Sequence, residues 1–313
     1  MPNPESLIPN LMRSIRVKSY AKINWTLDVL FKREDGYHEI RTIYQTVSLH
    51  DRLRLIETTG ILEISCDDER VPVGETNLAH KAARLLRDAT GVKSGARIEI
   101  EKRIPVAAGL GGGSSNAAAT LLGLQRLWRV ELPEREMFRL AAKLGSDVPF
   151  FLIGGTALGV GRGEEVYPVE EAESENLLLV NPGFGVETPA AYARLSRLTL
   201  KESARIIPFT LFAAKAIREL PLAASNDLEE TVSAAHPEIA EVKRELLSYG
   251  ARRALMSGSG ATVLGVFDNS QASKRAQSKM RRAGYWSVRA RAINRQQYWN
   301  TIFDRAEPRA GSK

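Results

Sequence analysis

The chain has 313 residues, of which 43% are hydrophobic and 26% charged, with a formal net charge of +7. This length favours two domains over one, while the single Cys66 and four histidines exclude a disulfide framework and the common Cys/His zinc spacings. The first fifteen residues lack the apolar segment of a secretion signal and no run of 18 apolar residues follows, so we expect a cytoplasmic protein without membrane spans.

The first predicted element is a strand near the N-terminus. Its apolar residues recur at every second position, as in a strand with one buried face: Ile23, Trp25, Leu27, Val29 and Phe31. Lys22 and Asn24 share the opposite face, because neighbouring side chains on a strand point to opposite sides. Such a strand can offer a cation and an amide to one ligand, although an isolated Lys-x-Asn is more often an exposed polar face.

Two short strands and three helices follow. The strands are predicted over residues 61–65 and 97–101, and the helices over residues 78–88, 117–128 and 135–144. Thr76 or Asn77 is the expected N-cap of the first of these helices.

A glycine-rich segment, residues 105–119, leads directly into the second helix. Gly109 and glycines 111–113 lack Cβ atoms, so their backbone can take positive φ angles or approach a ligand closely. Residues 114–116 are Ser, Ser and Asn, which are good N-cap residues, and a helix N-terminus favours an anion. The segment therefore predicts a polyphosphate-binding loop rather than a flexible linker, which would not run straight into a helix.

Three common phosphate-binding patterns are excluded. No lysine follows the glycines as a P-loop requires, and the spacing from Gly109 does not fit the dinucleotide pattern. The His-Arg-Asp and Asp-Phe-Gly triplets of protein kinases are also missing.

The C-terminal half alternates helices and strands. Strands are predicted from Thr156 and over residues 177–180, 253–257, 261–267 and 287–291, with helices over residues 189–195, 237–249 and 271–283. The Glu-rich residues 170–175 form the expected connection, which divides the chain into domains 1–175 and 176–313. Residues 271–313 hold eleven Lys and Arg against two acidic residues, which we interpret as a solvated basic surface and a frayed tail.

Four segments together resemble the kinase superfamily of galactokinase, homoserine kinase, mevalonate kinase and phosphomevalonate kinase. They are Lys22-Ile-Asn24, the glycine loop, residues 145–149 around Asp147, and residues 256–261, in that order along the chain. The resemblance implies an α+β fold with a ribosomal-protein-like N-terminal domain and a ferredoxin-like C-terminal domain. It also implies ATP with Mg²⁺ and catalytic roles for Lys22 and Asp147, each of which alone is more often a surface or turn residue.

By the same resemblance, the nucleotide contacts one run of residues and two separate side chains. These are Pro105, Val106, Ala107, Ala108, Gly109, Leu110, Gly111, Gly112, Gly113, Ser114, Ser115, Asn77 and Lys102. Gly258, Ser259 and Gly260 would form a turn that closes over the substrate and the phosphates.

The Asp-Gly-Tyr-His motif at residues 35–38 and Thr188 before Pro189 narrow the resemblance to members that act on an alcohol with a cytidine diphosphate group, in non-mevalonate isoprenoid synthesis. This implies that Tyr37 and Tyr192 stack on the cytosine and that His38 bonds its edge. Asn24 and Thr188 would orient the rest of the substrate. Trp25 and Ser146 depart from the family pattern.

Two other interpretations stay open. A related small-molecule kinase of the homoserine or mevalonate type would keep Lys22, Asp147 and the loop but would need no cytosine slot. A non-catalytic ligand sensor on the same fold would have no need of Lys22 and Asp147. A nucleic-acid partner is not expected, because the basic segment lacks a broad face with interleaved aromatic residues. The sequence predicts neither a protein-held metal nor an oligomeric state.

Overall fold

A computed structural model describes residues 13–172, 176–195, 220 and 224–304. Its strands, in chain order, are β1 (Ser14–Lys32), β2 (His38–Thr58), β3 (Leu62–Cys66), β4 (Gly95–Glu101), β5 (Thr156–Val160), β6 (Glu165–Pro168), β7 (Leu177–Asn181), β8 (Ser225–Asn226), β9 (Arg253–Met256), β10 (Val263–Val266) and β11 (Trp286–Ala290). Its helices are α1 (Leu78–Thr90), α2 (Gly112–Trp128), α3 (Glu134–Leu144), a 3₁₀ helix (Pro149–Leu152), α4 (Thr188–Leu195), α5 (Leu228–Ala235), α6 (Pro237–Ser248), α7 (Ser270–Arg282) and α8 (Arg295–Thr301).

The strands form two sheets. In the first, the hydrogen-bonded order is β3-β4-β2-β1-β8, and β5 pairs with both β2 and β6. The second sheet has four antiparallel strands in the order β11-β7-β10-β9. Helices pack on the outer face of each sheet, so the predicted α+β class with two sheet-based domains is confirmed.

Alternation along the strands sorts the apolar side chains into layers. Ile23 and Trp25 of β1 are fully buried against Leu177 and Leu179 of β7, which places them between the two sheets. Leu178 and its neighbours face the other way, toward the C-terminal helices. Each such side chain contributes about 1.5–3 kcal/mol when buried. Phe31, the last residue of the predicted alternation, lies near the end of β1 and is 53% exposed.

Two predictions about local structure need correction. Helix α2 begins at Gly112, not at residue 117, and its N-cap is Gly111 with a φ of 68° rather than one of residues 114–116. Glycines have low helix propensity, but here they form the first turn, where the N–H groups have no partner within the helix. The 21-residue strand β2 was not predicted, because its apolar residues do not keep one period through the register shifts of its pairing with β1.

The C-terminal segment returns to the first domain. Tyr298 of α8 is buried in the same core as α2, and its hydroxyl donates to the Phe151 carbonyl at 2.5 Å. Isolated bridges join Val17 to Phe303 and Val47 to Ala292. The division at residue 175 stays a prediction. Within the described ranges, no helix is both long and apolar enough to cross a membrane.

Candidate active site

A cavity of about 990 Å³ opens between the glycine loop, β1 and the turn at residues 258–259. The predicted site residues that line it are Lys22, Asn24, Tyr37, His38, Asn77, Lys102, Pro105, Val106, Ala107, Ala108, Gly109, Gly111, Gly112, Gly113, Ser114, Asp147, Thr188 and Tyr192. Leu110 and Ser115 are buried instead, at 1% and 2% exposure. The structure thus brings together side chains that are far apart in the sequence.

Lys22 and Asp147 form an ion pair at the centre of this cavity. The Lys22 Nζ lies 3.4 Å from Asp147 Oδ2 and donates to Asn24 Oδ1 at 2.7 Å. The side chain of Lys22 is 5% exposed and that of Asp147 is 31% exposed. A ligand can therefore reach the carboxylate, while Asn24 holds the buried ammonium group. Asn24 is fixed in turn by donating to Thr42 Oγ1 at 2.7 Å.

Tyr44 is a site residue that sequence reasoning missed. Its hydroxyl donates to Asp147 Oδ1 at 3.0 Å, and its ring lies 5.6 Å from Lys22 Nζ. Burial, followed by the Asp147 charge, raises the pKa of Tyr44 well above its ordinary value, so the phenol stays protonated and donates. The sequence could have indicated Tyr44 only if strand β2 had been predicted, because Tyr44 pairs with Asn24 of β1 in the sheet.

The glycine loop is held by residues from both halves of the chain. The Lys22 N–H donates to the Leu110 carbonyl at 3.0 Å, and Ser257 Oγ donates to the Gly109 carbonyl at 3.2 Å. Gly109 and Gly111 have positive φ angles of 75° and 68°, as predicted for glycines in such a loop. Gly112 and Gly113 belong to α2, where their N–H groups and the helix dipole face the cavity end of the helix.

Gly109→Ala tests the approach of the loop to residues 257–260. A Cβ at Gly109 would lie 2.1 Å from the Ser257 carbonyl oxygen, in addition to the left-handed strain. Strain costs about 1–2 kcal/mol, and with the overlap we expect the Tm to fall by roughly 6–12 °C. Gly250→Ala is the control, because Gly250 has a φ of 90° but open space around its Cβ position. Equal Tm losses, measured by calorimetry, would contradict the close approach.

Asn77 and Lys102 flank the predicted nucleotide end. Asn77 is the N-cap of α1, accepting from the Ala79 N–H at 2.8 Å, and its amide donates to the Pro72 carbonyl at 2.7 Å. Lys102 donates to Asp51 Oδ2 at 2.6 Å in a pair that is almost fully buried. Asp51 also accepts the Arg103 and Ile104 N–H groups, at 2.7 and 2.8 Å. These side chains shape the cavity wall as well as lining it.

Three aromatic side chains, Tyr37, His38 and Tyr192, form another part of the cavity lining. His38 stacks on Tyr192 with ring centroids 5.2 Å apart, and burial lowers the pKa of His38. The Tyr37 ring is 54% exposed and lies 4.8 Å from the Arg162 guanidinium, which Glu164 holds at 2.9 Å. Arg162 was not singled out in the sequence, because nothing local to Gly-Arg-Gly-Glu reports that this turn faces Tyr37.

The turn at residues 258–260 closes the cavity from the second domain. Asn226 Nδ2 donates to the Gly258 carbonyl at 2.8 Å, and Thr188 Oγ1 lies 3.1 Å from Ser259 Oγ. A Cβ at Gly258 would lie 3.1 Å from Lys22 Nζ, so the turn touches the ion pair.

The residues around the glycine loop do not form a metal centre by themselves. Among the described residues there is no group of three or more His, Cys, Asp or Glu that could hold a metal ion. The Ser114 hydroxyl lines the cavity, and a hard oxygen atom of this kind is what Mg²⁺ prefers as a ligand. The Ser115 hydroxyl instead accepts from Ser19 Oγ at 2.7 Å inside the core.

Comparison with known proteins gives consistent results. Residues 77–155 match the model of the GHMP kinases N terminal domain, and residues 210–285 match that of the GHMP kinases C terminal. A 4-diphosphocytidyl-2-C-methyl-D-erythritol kinase of Thermoanaerobacter pseudethanolicus is 43% identical, over 85% of this chain and 91% of the relative. The enzyme of that name from Geobacter sulfurreducens is 41% identical, over 90% of this chain and its own full length.

Solved structures agree in fold. A crystal structure of 4-(cytidine 5'-diphospho)-2C-methyl-D-erythritol kinase superposes with a TM-score of 0.73 at 34% identity, covering 89% of this chain and 99% of the other. A crystal structure of homoserine kinase from Cytophaga hutchinsonii superposes with a TM-score of 0.68 at 19% identity, covering 93% of this chain and 98% of the other. At this identity it supports the fold alone.

Proposed function

We propose that this chain, which belongs to the GHMP kinases and within them to the 4-diphosphocytidyl-2-C-methyl-D-erythritol kinases, transfers the γ-phosphate of ATP to the 2-hydroxyl of 4-diphosphocytidyl-2-C-methyl-D-erythritol. Relatives at 39–44% identity are named 4-diphosphocytidyl-2-C-methyl-D-erythritol kinase, and this family membership makes the chain an ATP-dependent kinase of isoprenoid synthesis. The hydroxyl and the roles of individual residues are the proposal.

The observation that carries the proposal is the position of the Lys22–Asp147 pair. A Cβ at Gly111 would lie 2.9 Å from Lys22 Cγ, and burial, followed by the charge of Asp147, raises the pKa of Tyr192, so the pair adjoins both the glycine loop and the aromatic side chains of one cavity. A phosphoryl donor on the loop and an alcohol held by the aromatic side chains would therefore meet at these two side chains. Positioning and charge stabilisation are what phosphoryl transfer requires from a protein.

In the proposed mechanism, Asp147 is the general base. Its carboxylate accepts the proton of the substrate hydroxyl as the alcohol oxygen bonds to the γ-phosphorus. The bond from phosphorus to the β–γ bridging oxygen breaks at the same time, and ADP leaves. Tyr44 orients the carboxylate through its donated hydrogen bond, and Lys22 stabilises the charge that spreads over the transferring group.

The α2 N-terminus and the loop would hold the polyphosphate. The first N–H groups of α2 have no partner within the helix. The first backbone hydrogen bond of the helix runs from the Ser115 N–H to the Gly111 carbonyl. When bound with the nucleotide, Mg²⁺ would neutralise part of the negative charge of the phosphates. Ser114 is the residue that would hold it on the protein side.

Tyr37, His38 and Tyr192 are the proposed cytosine site. The structure supports this with aromatic rings that line the same cavity as the loop, although His38 already stacks on Tyr192. The cytosine ring would either displace His38 from the Tyr192 ring or stack on the other face of His38. Thr188 lies between this site and the turn at residues 258–260.

We expect Tyr192→Ala and Tyr37→Ala to raise the KM for the cytidyl substrate about 5- to 150-fold with little change in kcat. Stacking on an aromatic ring contributes about 1–3 kcal/mol, equally in ground and transition states. Steady-state kinetics with each substrate varied in turn give the two KM values. Tyr167→Ala is the matched control, because Tyr167 lies on β6 with 48% exposure and does not line the cavity. Loss of ATP affinity instead would place the adenine at these rings.

One assay tests the proposed substrate. ATP consumption is measured with the cytidyl diphosphate alcohol, homoserine and mevalonate at equal concentrations. The proposal expects turnover with the first alone. Turnover with homoserine or mevalonate would assign the chain to another alcohol kinase, and no turnover with any would favour a ligand sensor.

A further inference from the structure

A second cavity of about 480 Å³ lies where the two sheets meet, and it shares no lining residue with the first. One wall consists of residues 48–50 on β2 and Arg103 after β4. The other wall consists of the end of α7 and residues 285–289, which include the edge strand β11. The size is that of a small-molecule site rather than a flat protein-binding surface.

The lining of this cavity is basic. It contains Arg103, Arg281 and Arg289, and none of the described residues that line the cavity is acidic. Arg103 is paired with Glu101. Arg281 donates to the Ser287 carbonyl at 3.3 Å and Arg289 to Ser270 Oγ at 3.1 Å. Within the described part of the chain, neither of these two guanidinium groups has a carboxylate within 4.0 Å.

Two buried polar atoms in the same lining lack partners. Ser287 is 6% exposed, and its Oγ has no hydrogen bond with any described residue. His50 Nε2 also has no partner among them, but Nδ1–H of that ring donates to the Ser48 carbonyl at 2.9 Å, so Nε2 of the neutral ring is an acceptor and offers no proton to an anion. Buried polar atoms are normally paired, so the unpaired Ser287 hydroxyl, which can donate, points to a ligand with oxygen atoms beside these uncompensated cations.

We propose that this second cavity binds the phosphate group of a small anion. Planar guanidinium groups pair with phosphate oxygens by two parallel hydrogen bonds, and two of them can converge here. Tyr285 and Trp286 provide an aromatic wall beside the charges, against which an organic substituent of the phosphate can pack. The site also gives a function to part of the positive charge in residues 271–313, which the sequence alone assigns to a solvated surface.

The experiment is calorimetric titration of the full chain with inorganic phosphate and with phenyl phosphate at constant ionic strength. A non-hydrolysable ATP analogue is present in excess, so that the probes do not bind at the glycine loop. The matched variants are Arg281→Ala, Arg289→Ala and Arg282→Ala. Arg282 adjoins Arg281 on α7 and is also exposed, but it does not line the cavity.

We expect one binding site, weakened at least about tenfold by Arg281→Ala and by Arg289→Ala and less than twofold by Arg282→Ala. Tighter binding of phenyl phosphate than of inorganic phosphate would identify an organic phosphate ester as the ligand, and equal binding would identify free phosphate. Absence of binding, or an equal loss in all three variants, would overturn the proposal in favour of a diffuse basic surface. Arg281→Gln serves if the alanine variant does not fold.

Discussion

Asp147→Asn lowers kcat by at least about 100-fold and leaves the ATP affinity within a few-fold of the wild type, if the carboxylate accepts the proton of the substrate. General-base assistance is typically worth about 10²–10⁴ in rate. An amide keeps the size of the side chain and can still accept from Tyr44, so the change removes the base with little effect on the fold. Single-turnover kinetics and nucleotide titration separate the two quantities.

Asp268→Asn is the control for this substitution. Asp268 pairs with Arg252 on the surface, with a side chain that is 64% exposed, and it does not line the active-site cavity. Its variant should have wild-type kinetics. Turnover close to wild type in Asp147→Asn would remove this carboxylate from the mechanism and leave it only an orienting role for Lys22.

Lys22→Ala should reduce kcat by a similar factor, about 100-fold or more. One preorganised charge at a reacting centre contributes roughly 3–4 kcal/mol, and no other cation is seen within 4.0 Å of Asp147 among the described residues. Because Lys22 and Asp147 act on one transition state, the double variant should lose far less than the product of the two single losses. Multiplicative losses would show that the two side chains act separately.

The control for Lys22 is on the same strand. Lys18 pairs with Asp304 at 3.6 Å outside the cavity, so Lys18→Ala changes the charge of β1 without touching the site. Lys22→Ala also leaves Asn24 Oδ1 without its donor. Thermal unfolding of both variants therefore distinguishes lost catalysis from lost folding, since only a fall in kcat at unchanged Tm supports the catalytic role.

Local chemistry in the sequence predicts much of the site. Lys22 and Asn24 share one strand face by alternation alone, and Gly109 and Gly111 have the left-handed conformations for which the loop needs glycine. Which of Ser114 and Ser115 lines the cavity could not be predicted from the sequence. It depends on Ser19, a residue 96 positions away in the chain, whose hydroxyl donates to Ser115 inside the core.

Other features depend on long-range pairing that no local pattern reports. Tyr44 reaches Asp147 only because β2 lies beside β1, and Lys102 is fixed by Asp51 across the sheet. The start of α2 at Gly112, earlier than the sequence predicts, also depends on long-range contacts. Glycines are poor helix formers on average, but here Lys22 and residues 257–262 hold the loop that leads into the first turn.

The return of α8 to the core of the first domain bears on how the protein folds during synthesis. Val17, Tyr20 and Tyr298 belong to one core, although Tyr298 is synthesised about 280 residues after Val17. On the ribosome, the N-terminal sheet and its helices can therefore form while a gap for Tyr298 stays open. That gap can close only once residue 298 has been synthesised, so the core of the first domain cannot be completed before the segment that forms the second sheet has been made.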